Sequence, residues 1–180
     1  MIVVIIPAKG DSSRLPNKNM ILLNDKPLIN YTIDYANNSK LIDKIYISTD
    51  SDYIDTYCSN LGLNVIRRPK SLGGDTPIID VYKHAIKNIE DGEKVEILAG
   101  LQPDHPDRNE PLDKIIQLFN ENCLDRLMSK DKDGLKNGAH YMLSKSYLLT
   151  GVSKKDYTIV DDCTNIHFEE DLERAFLRLS

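Results

Sequence analysis

The chain has 180 residues, of which 41% are hydrophobic and 28% charged, with a formal net charge of −5 at pH 7. Those values suit one globular domain over residues 1–180 with a sizeable core, and they argue against a nucleic-acid or anionic-membrane surface. No apolar run reaches membrane length, no signal-peptide pattern opens the chain, and Cys58, Cys123 and Cys163 are widely spaced without a CxxC, so reduced thiols and a cytoplasmic location are expected.

Ile2–Ile6 is a continuous β-branched run that predicts a buried parallel strand, with Pro7 expected to end it. The loop that follows holds Lys9, Gly10, Ser12, Ser13, Arg14 and Lys18. Cations, hydroxyls and a glycine just beyond a strand's carboxyl end suit a polyphosphate, although the Walker A spacing is absent. Asn24-Asp25-Lys26 reads as a turn, and Pro27 opens a helix ending near Asn37-Asn38-Ser39. Asp43–Ser48 is the second strand, and Asp50 or Ser51 caps a helix over 52–61 that Gly62 closes.

A short strand over 64–66 leads to Arg67-Arg68-Pro69, then to the loop Gly73-Gly74-Asp75-Thr76-Pro77 and a helix to about Ile89. Residues 94–101 form a strand broken by Gln102-Pro103-Asp104-His105-Pro106, and Asn109 is expected to cap a helix over 110–122. Residues 125–136 read as a charged, solvated loop, and 139–143 as a strand followed by a short helix over 144–149. A strand or loop over 159–166 precedes the closing helix, 169–179. Strands alternating with helices predict an α/β domain, a mainly parallel sheet with helices on both faces.

In such a sheet the polar segments after the strands share one edge, so they would line a single cleft. Asp104, fixed between two prolines, offers a hard oxygen ligand for a magnesium ion that also binds a triphosphate. His105 is read as a substrate contact or surface residue, because imidazole suits magnesium poorly.

The motifs in order are IPAKGDSSRLPNKN, KPLINYTID, ISTDSDYI, GLNVIRRP, GGDTP, LQP, NGAHYML and EEDLERA. Together they resemble the acylneuraminate cytidylyltransferase family, the CMP-sialic acid synthetases, with KDO cytidylyltransferase as a near relative. The resemblance implies a three-layer α/β/α, Rossmann-like nucleotidyltransferase fold. It also implies magnesium-dependent transfer of a cytidylyl group from CTP to a small acidic or phosphorylated sugar-like acceptor, with pyrophosphate leaving.

By that likeness Lys9, Ser12 and Lys18 hold the triphosphate, with Ala8, Gly10 and Ser13 completing the loop, and Arg14 assists Lys18 at the α-phosphate. Asn19, Arg68, Asp75 and Thr76 fall where the family recognises cytosine and ribose, and Gln102 where it positions sugar or nucleotide. Lys18, Arg14 and Asp104 form the catalytic set, and Asp104 with Asn165 the metal set.

Three departures accompany the likeness. The family's LQPTSPLR is LQPDHPDR here, closer to the D-x-P of KDO cytidylyltransferase. The metal-binding DID is Asn165-Ile166-His167. The dimer arm before NGAHYML is reduced to residues 125–136, so any homodimer lacks that arm, and a smaller acceptor, a phosphorylated one or a partner protein would each fit. Two other readings stay open: a nucleotide-binding module weakened in catalysis, and a nucleotidyltransferase using another nucleoside triphosphate and a sugar phosphate.

Overall fold

The computed structural model describes residues 1–74, 76–89 and 94–180. Its strands are β1 (Ile2–Ala8), β2 (Leu22–Leu23), β3 (Lys26–Pro27), β4 (Lys44–Thr49), β5 (Asn64–Arg67), β6 (Ile97–Gly100), β7 (Arg126–Lys130), β8 (Lys136–Ser144) and β9 (Asp156–Val160). The helices are α1 (Leu28–Asn37), α2 (Asp52–Asn60), α3 (Ile78–Asn88), α4 (Leu112–Glu121), α5 (Lys145–Thr150) and α6 (Glu169–Leu179). Seven strands form one sheet in the order β5-β4-β1-β6-β8-β7-β9, and β2-β3 is a separate hairpin. The sheet is mainly parallel; β8 alone runs against its neighbours, β6 and β7.

β1 lies inside the sheet, between β4 and β6, because both its faces are apolar. Val4, Ile6 and Ala8 pack against α1, α2 and α4, while Val3 and Ile5 pack against α3 and α5. An unalternated β-branched run has no polar face to offer water, so it is stable only between two helical layers. Ser51 caps α2 by accepting from Ile54 N, with Asp52 and Asp55 at the positive end of its dipole. A third cluster, Leu15, Leu23, Leu28, Ile166 and Ala175, joins the first loop, the hairpin and α6. That cluster brings the carboxyl-terminal segment to the same sheet edge as the opening loop.

The structure corrects several expectations. Pro7 does not end β1, which pairs with β4 through Ala8. Leu101 N donates to Ile5 O, so alternate residues from Ile5 onward face β6, and β6 stops at Gly100. The missing N–H of Pro7 therefore faces a side where no ladder remains. Asn109 is not a helix cap: α4 starts at Leu112, and Asn109 donates through its side chain to Asp161. Residues 125–136 are not simply a solvated loop, because β7 occupies their first half. Leu127 and Ser129 turn inward while the charged residues turn out, an alternation too short and too charged to stand out in the sequence. In the segment 159–166, β9 ends at Val160 and the rest is irregular.

All three cysteines are free, with Cys58 and Cys163 buried. Among the described residues no helix is long and apolar enough to cross a membrane.

A buried polar network seals β8 against the segment after β9. Ser129 Oγ donates to Asn137 Oδ1 at 2.6 Å, Asn137 Nδ2 donates to Asp161 O at 2.7 Å, and His140 Nε2 lies 2.8 Å from Asp161 Oδ2. Burial lowers the His140 pKa from 6.5 to about 4, against the pull of Asp161. Burial works to raise Asp161, but His140 and backbone donors outweigh it and hold that carboxyl at about 2.

Between about pH 4 and 6.5 the unfolded chain therefore protonates His140 while the folded protein keeps it neutral. The unfolded state binds more protons in that window, so stability falls on acidification through it. Asp161 adds a further loss below its ordinary value of 3.8. The thermal midpoint at pH 4.5 is expected to lie about 5 °C or more below that at pH 7. His140→Gln should flatten the dependence between pH 6.5 and 4.5; an unchanged slope would remove His140 from the account.

Candidate active site

The carboxyl ends of β1, β5 and β6 open onto a cleft of about 250 Å³. It is lined by Lys9, Ser12, Ser13, Arg14, Lys18 and Asn19 from the first loop, Arg68 after β5, Thr76 before α3, Gln102 and Asp104 after β6, and His167 before α6. Ala8, Gly10 and Asn165 stand outside that lining, and Asp75 lies outside the described residues. Asp104 is the lone carboxylate among the described lining residues, so the cleft is strongly cationic. That charge favours a polyanion.

Lys18 and Asp104 meet although 86 residues separate them. Lys18 Nζ donates to Asp104 Oδ2 at 2.6 Å and to Ile166 O at 2.8 Å, in surroundings where each side chain is about a tenth exposed. Asp104 O accepts from Ile166 N at 3.0 Å, which ties the two loops together beneath the pair. Burial would raise the Asp104 carboxyl, but His105 and Lys18 more than offset it and hold the group well below the usual carboxylate range. His105 Nδ1 is 3.1 Å from Asp104 Oδ1 without the alignment of a hydrogen bond. His105 is fully buried, so it is neither a surface residue nor an available substrate contact.

The first loop is braced from behind. Gly10 N donates to Asp50 Oδ1 at 2.9 Å, and Asn19 Nδ2 donates to Lys9 O at 2.8 Å. Asp50 also faces Arg68, 3.7 Å away, whose guanidinium is buried and donates to Ser48 O. Burial lowers the Arg68 pKa, and Asp50 opposes the shift. His167 is half-buried; its burial, together with the nearby cations Lys18 and Arg14, pushes its imidazole below the ordinary value.

Two supports escaped the sequence reading. Arg108 donates to the carbonyls of Gln102 and His105, to Ala139 O at 3.1 Å and to Thr32 Oγ1 at 2.8 Å, so it sets the curve of the 102–108 loop. Asp107 accepts from Thr164 N at 2.7 Å and from its hydroxyl at 2.9 Å, and pairs with Arg178 Nε of α6 at 2.6 Å. Both stand in the polar segment that follows β6, Arg108 eight places beyond Gly100, and neither carried a signal for its distant partners.

Whether these residues suit a divalent cation rests on the donors. Asp104 Oδ1 and Asn165 Oδ1 are both buried oxygens without a hydrogen-bond partner, while Asn165 Nδ2 is occupied by Asn137 O. Both are hard oxygens of the kind a magnesium-type ion takes, although Asp104 Oδ1 lies 3.1 Å from His105 Nδ1 and Asn165 stands outside the cleft lining. Among the described residues no group of three His, Cys, Asp or Glu side chains gathers around one point.

A mainly parallel α/β sheet with a cationic loop at its carboxyl edge and, among the described lining residues, one carboxylate facing the cations defines a nucleotide-binding α/β protein. The Cytidylyltransferase family model matches residues 3–122, and the chain belongs to that family. It is 37% identical over 109 residues to N-acylneuraminate cytidylyltransferase of Escherichia coli O18:K1:H7, a match covering 60% of this chain and 25% of that protein. It is 36% identical over 124 residues to 3-deoxy-manno-octulosonate cytidylyltransferase of Christiangramia forsetii, covering 67% of this chain and 46% of that one. The chain thus spans about a quarter to a half of these relatives' lengths. The solved structure of CMP:2-keto-3-deoxy-manno-octonic acid synthetase complexed with CTP shares the fold, with TM-score 0.81 at 14% identity over 99% of this chain and 98% of that one.

Proposed function

We propose that this protein transfers a cytidylyl group from CTP, with magnesium, to a small acidic or phosphorylated sugar-like acceptor and releases pyrophosphate. The observation that carries the reading is the Lys18–Asp104 contact at 2.6 Å inside a cleft that Lys9, Arg14 and Arg68 also line. Lys9, Ser12, Ser13 and Lys18 hold the triphosphate, and Arg14 helps offset charge at the α-phosphate. Arg68, Thr76 and Asn19 take the nucleoside end, with Asp75 assigned there by resemblance alone.

Asp104 and Asn165 would hold the magnesium ion, which when bound neutralises phosphate charge. Attack by an acceptor oxygen on the α-phosphorus forms the new P–O bond as the bond to pyrophosphate breaks. The chain's own contribution is positioning and electrostatic stabilisation.

The test supplies CTP, magnesium and a panel of sugar acids and sugar phosphates, and follows pyrophosphate together with the CMP conjugate by mass spectrometry. Thermal shifts with CTP, UTP, GTP and ATP run alongside, and CTP is expected to raise the midpoint most. Pyrophosphate release with one acceptor supports the reading. CTP binding with no release under any acceptor favours the catalytically weakened module, for which the neutral Asn165 and His167 in the metal motif speak.

Gln102 gives a subtler check. Gly138 has φ +78°, and a Cβ there would lie 2.5 Å from Gln102 Oε1. Gly138→Ala should push the amide from its place in the cleft and lower kcat/KM by roughly tenfold or more, since small misplacements are costly. The backbone strain adds about 1 kcal/mol of instability. Unchanged kinetics would show that the amide's position is immaterial.

A further inference from the structure

β9 is an outer strand of the sheet, and among the described residues no strand pairs with the far side of its backbone. Its partner is β7, in parallel register from Arg126↔Asp156 to Lys130↔Val160. Lys155 O accepts from Asp125 N and Asp161 N donates to Lys130 O, so the odd-numbered residues 155 to 161 face β7. In a parallel strand the N–H and C=O of one residue point the same way. Asp156, Thr158 and Val160 therefore direct both groups outward, where all three residues are exposed. The strand is rich in β-formers, DYTIV, with Tyr157 44% and Val160 53% exposed. Such an edge is a template for another strand.

Its sequence also reads oppositely charged at its two ends: Lys154-Lys155 before the strand, Asp161-Asp162 after it. A copy laid antiparallel about a two-fold axis through Thr158 places Lys154 opposite the partner's Asp162. It also sets Tyr157 opposite the partner's Ile159, with Thr158 facing the partner's Thr158. The outward groups then match one another, because the axis falls on an outward-facing residue. A parallel, in-register copy would instead set lysine against lysine and aspartate against aspartate. Asp161 is buried against His140, so Asp162, 46% exposed at its side chain and 3.9 Å from the exposed Lys132 Nζ, carries the charge match.

We propose that β9 pairs with β9 of a second copy of this chain, joining the two seven-stranded sheets across a two-fold axis. The contact is isologous and closes on itself, as dimers of identical chains generally do. It is independent of the catalytic reading, since β9 contributes no residue to the cleft.

Sedimentation velocity of the full chain from about 1 to 200 μM tests it. A concentration-dependent dimer is expected. Thr158→Pro removes an outward N–H and leaves the β7 ladder whole, so it should weaken dimerisation by roughly tenfold or more with secondary structure unchanged. Lys154→Asp and Asp162→Lys should each weaken the dimer, and the double exchange should restore it. A monomer across the whole range, a dimer indifferent to Thr158→Pro, or a double exchange as weak as the single ones would each overturn the proposal.

Discussion

Lys18→Met is expected to lower kcat/KM with CTP by roughly a hundredfold or more, about 3 kcal/mol of transition-state stabilisation. The ammonium is fixed by Asp104 Oδ2 and Ile166 O, and both acceptors sit on loops that are themselves cross-linked. A cation held in this way meets developing charge without having to reorganise. Methionine keeps the unbranched apolar stem but leaves Asp104 without its ammonium partner. Breaking a buried pair on one side costs about 3–5 kcal/mol, so the thermal midpoint should fall as well.

The two effects separate when turnover and CTP affinity are measured on protein shown by circular dichroism to be folded. Lys18→Arg keeps the charge yet changes reach and geometry, and it should recover the midpoint more fully than the rate. A folded Lys18→Met protein turning over at the unsubstituted rate would remove Lys18 from catalysis.

Asp104→Asn is expected to be as severe, by a different route. The substitution keeps the shape and one carbonyl oxygen but removes the charge that faces Lys18 and offers Oδ1 to a cation. Pyrophosphate release should drop by roughly a hundredfold, and the magnesium concentration for half-maximal rate should rise by about tenfold or more. Because Lys18 and Asp104 touch, the double variant should lose far less than the two single losses combined. An unchanged magnesium dependence with a reduced rate would make Asp104 an anchor for Lys18 and nothing more.

Most of the fold was legible because its signals are local. The β-branched opening run, prolines at the starts of α1 and α3, and the hydroxyl of Ser51 each act within a few residues. The site was legible for a related reason: polar segments directly follow strand ends, and a parallel sheet gathers those ends on one edge. Where a residue's role depends on a distant partner, the sequence was mute. Asp107 works through Thr164, 57 residues on, and through Arg178 of α6. β7 was missed because its inward positions, Leu127 and Ser129, are separated by residues that look solvated.

By itself the sequence determined a βα-repeating chain with a cationic loop after its first strand, together with a carboxylate held between prolines. Those follow from side-chain shape, charge and spacing alone. Only the tertiary structure decided that Lys18 spends two of its three donors on Asp104 and Ile166, that His105 is sealed inside, and that Asp104 Oδ1 and Asn165 Oδ1 accept no hydrogen bond. Pairings across such separations depend on how the layers pack, and packing is a property of the assembled core.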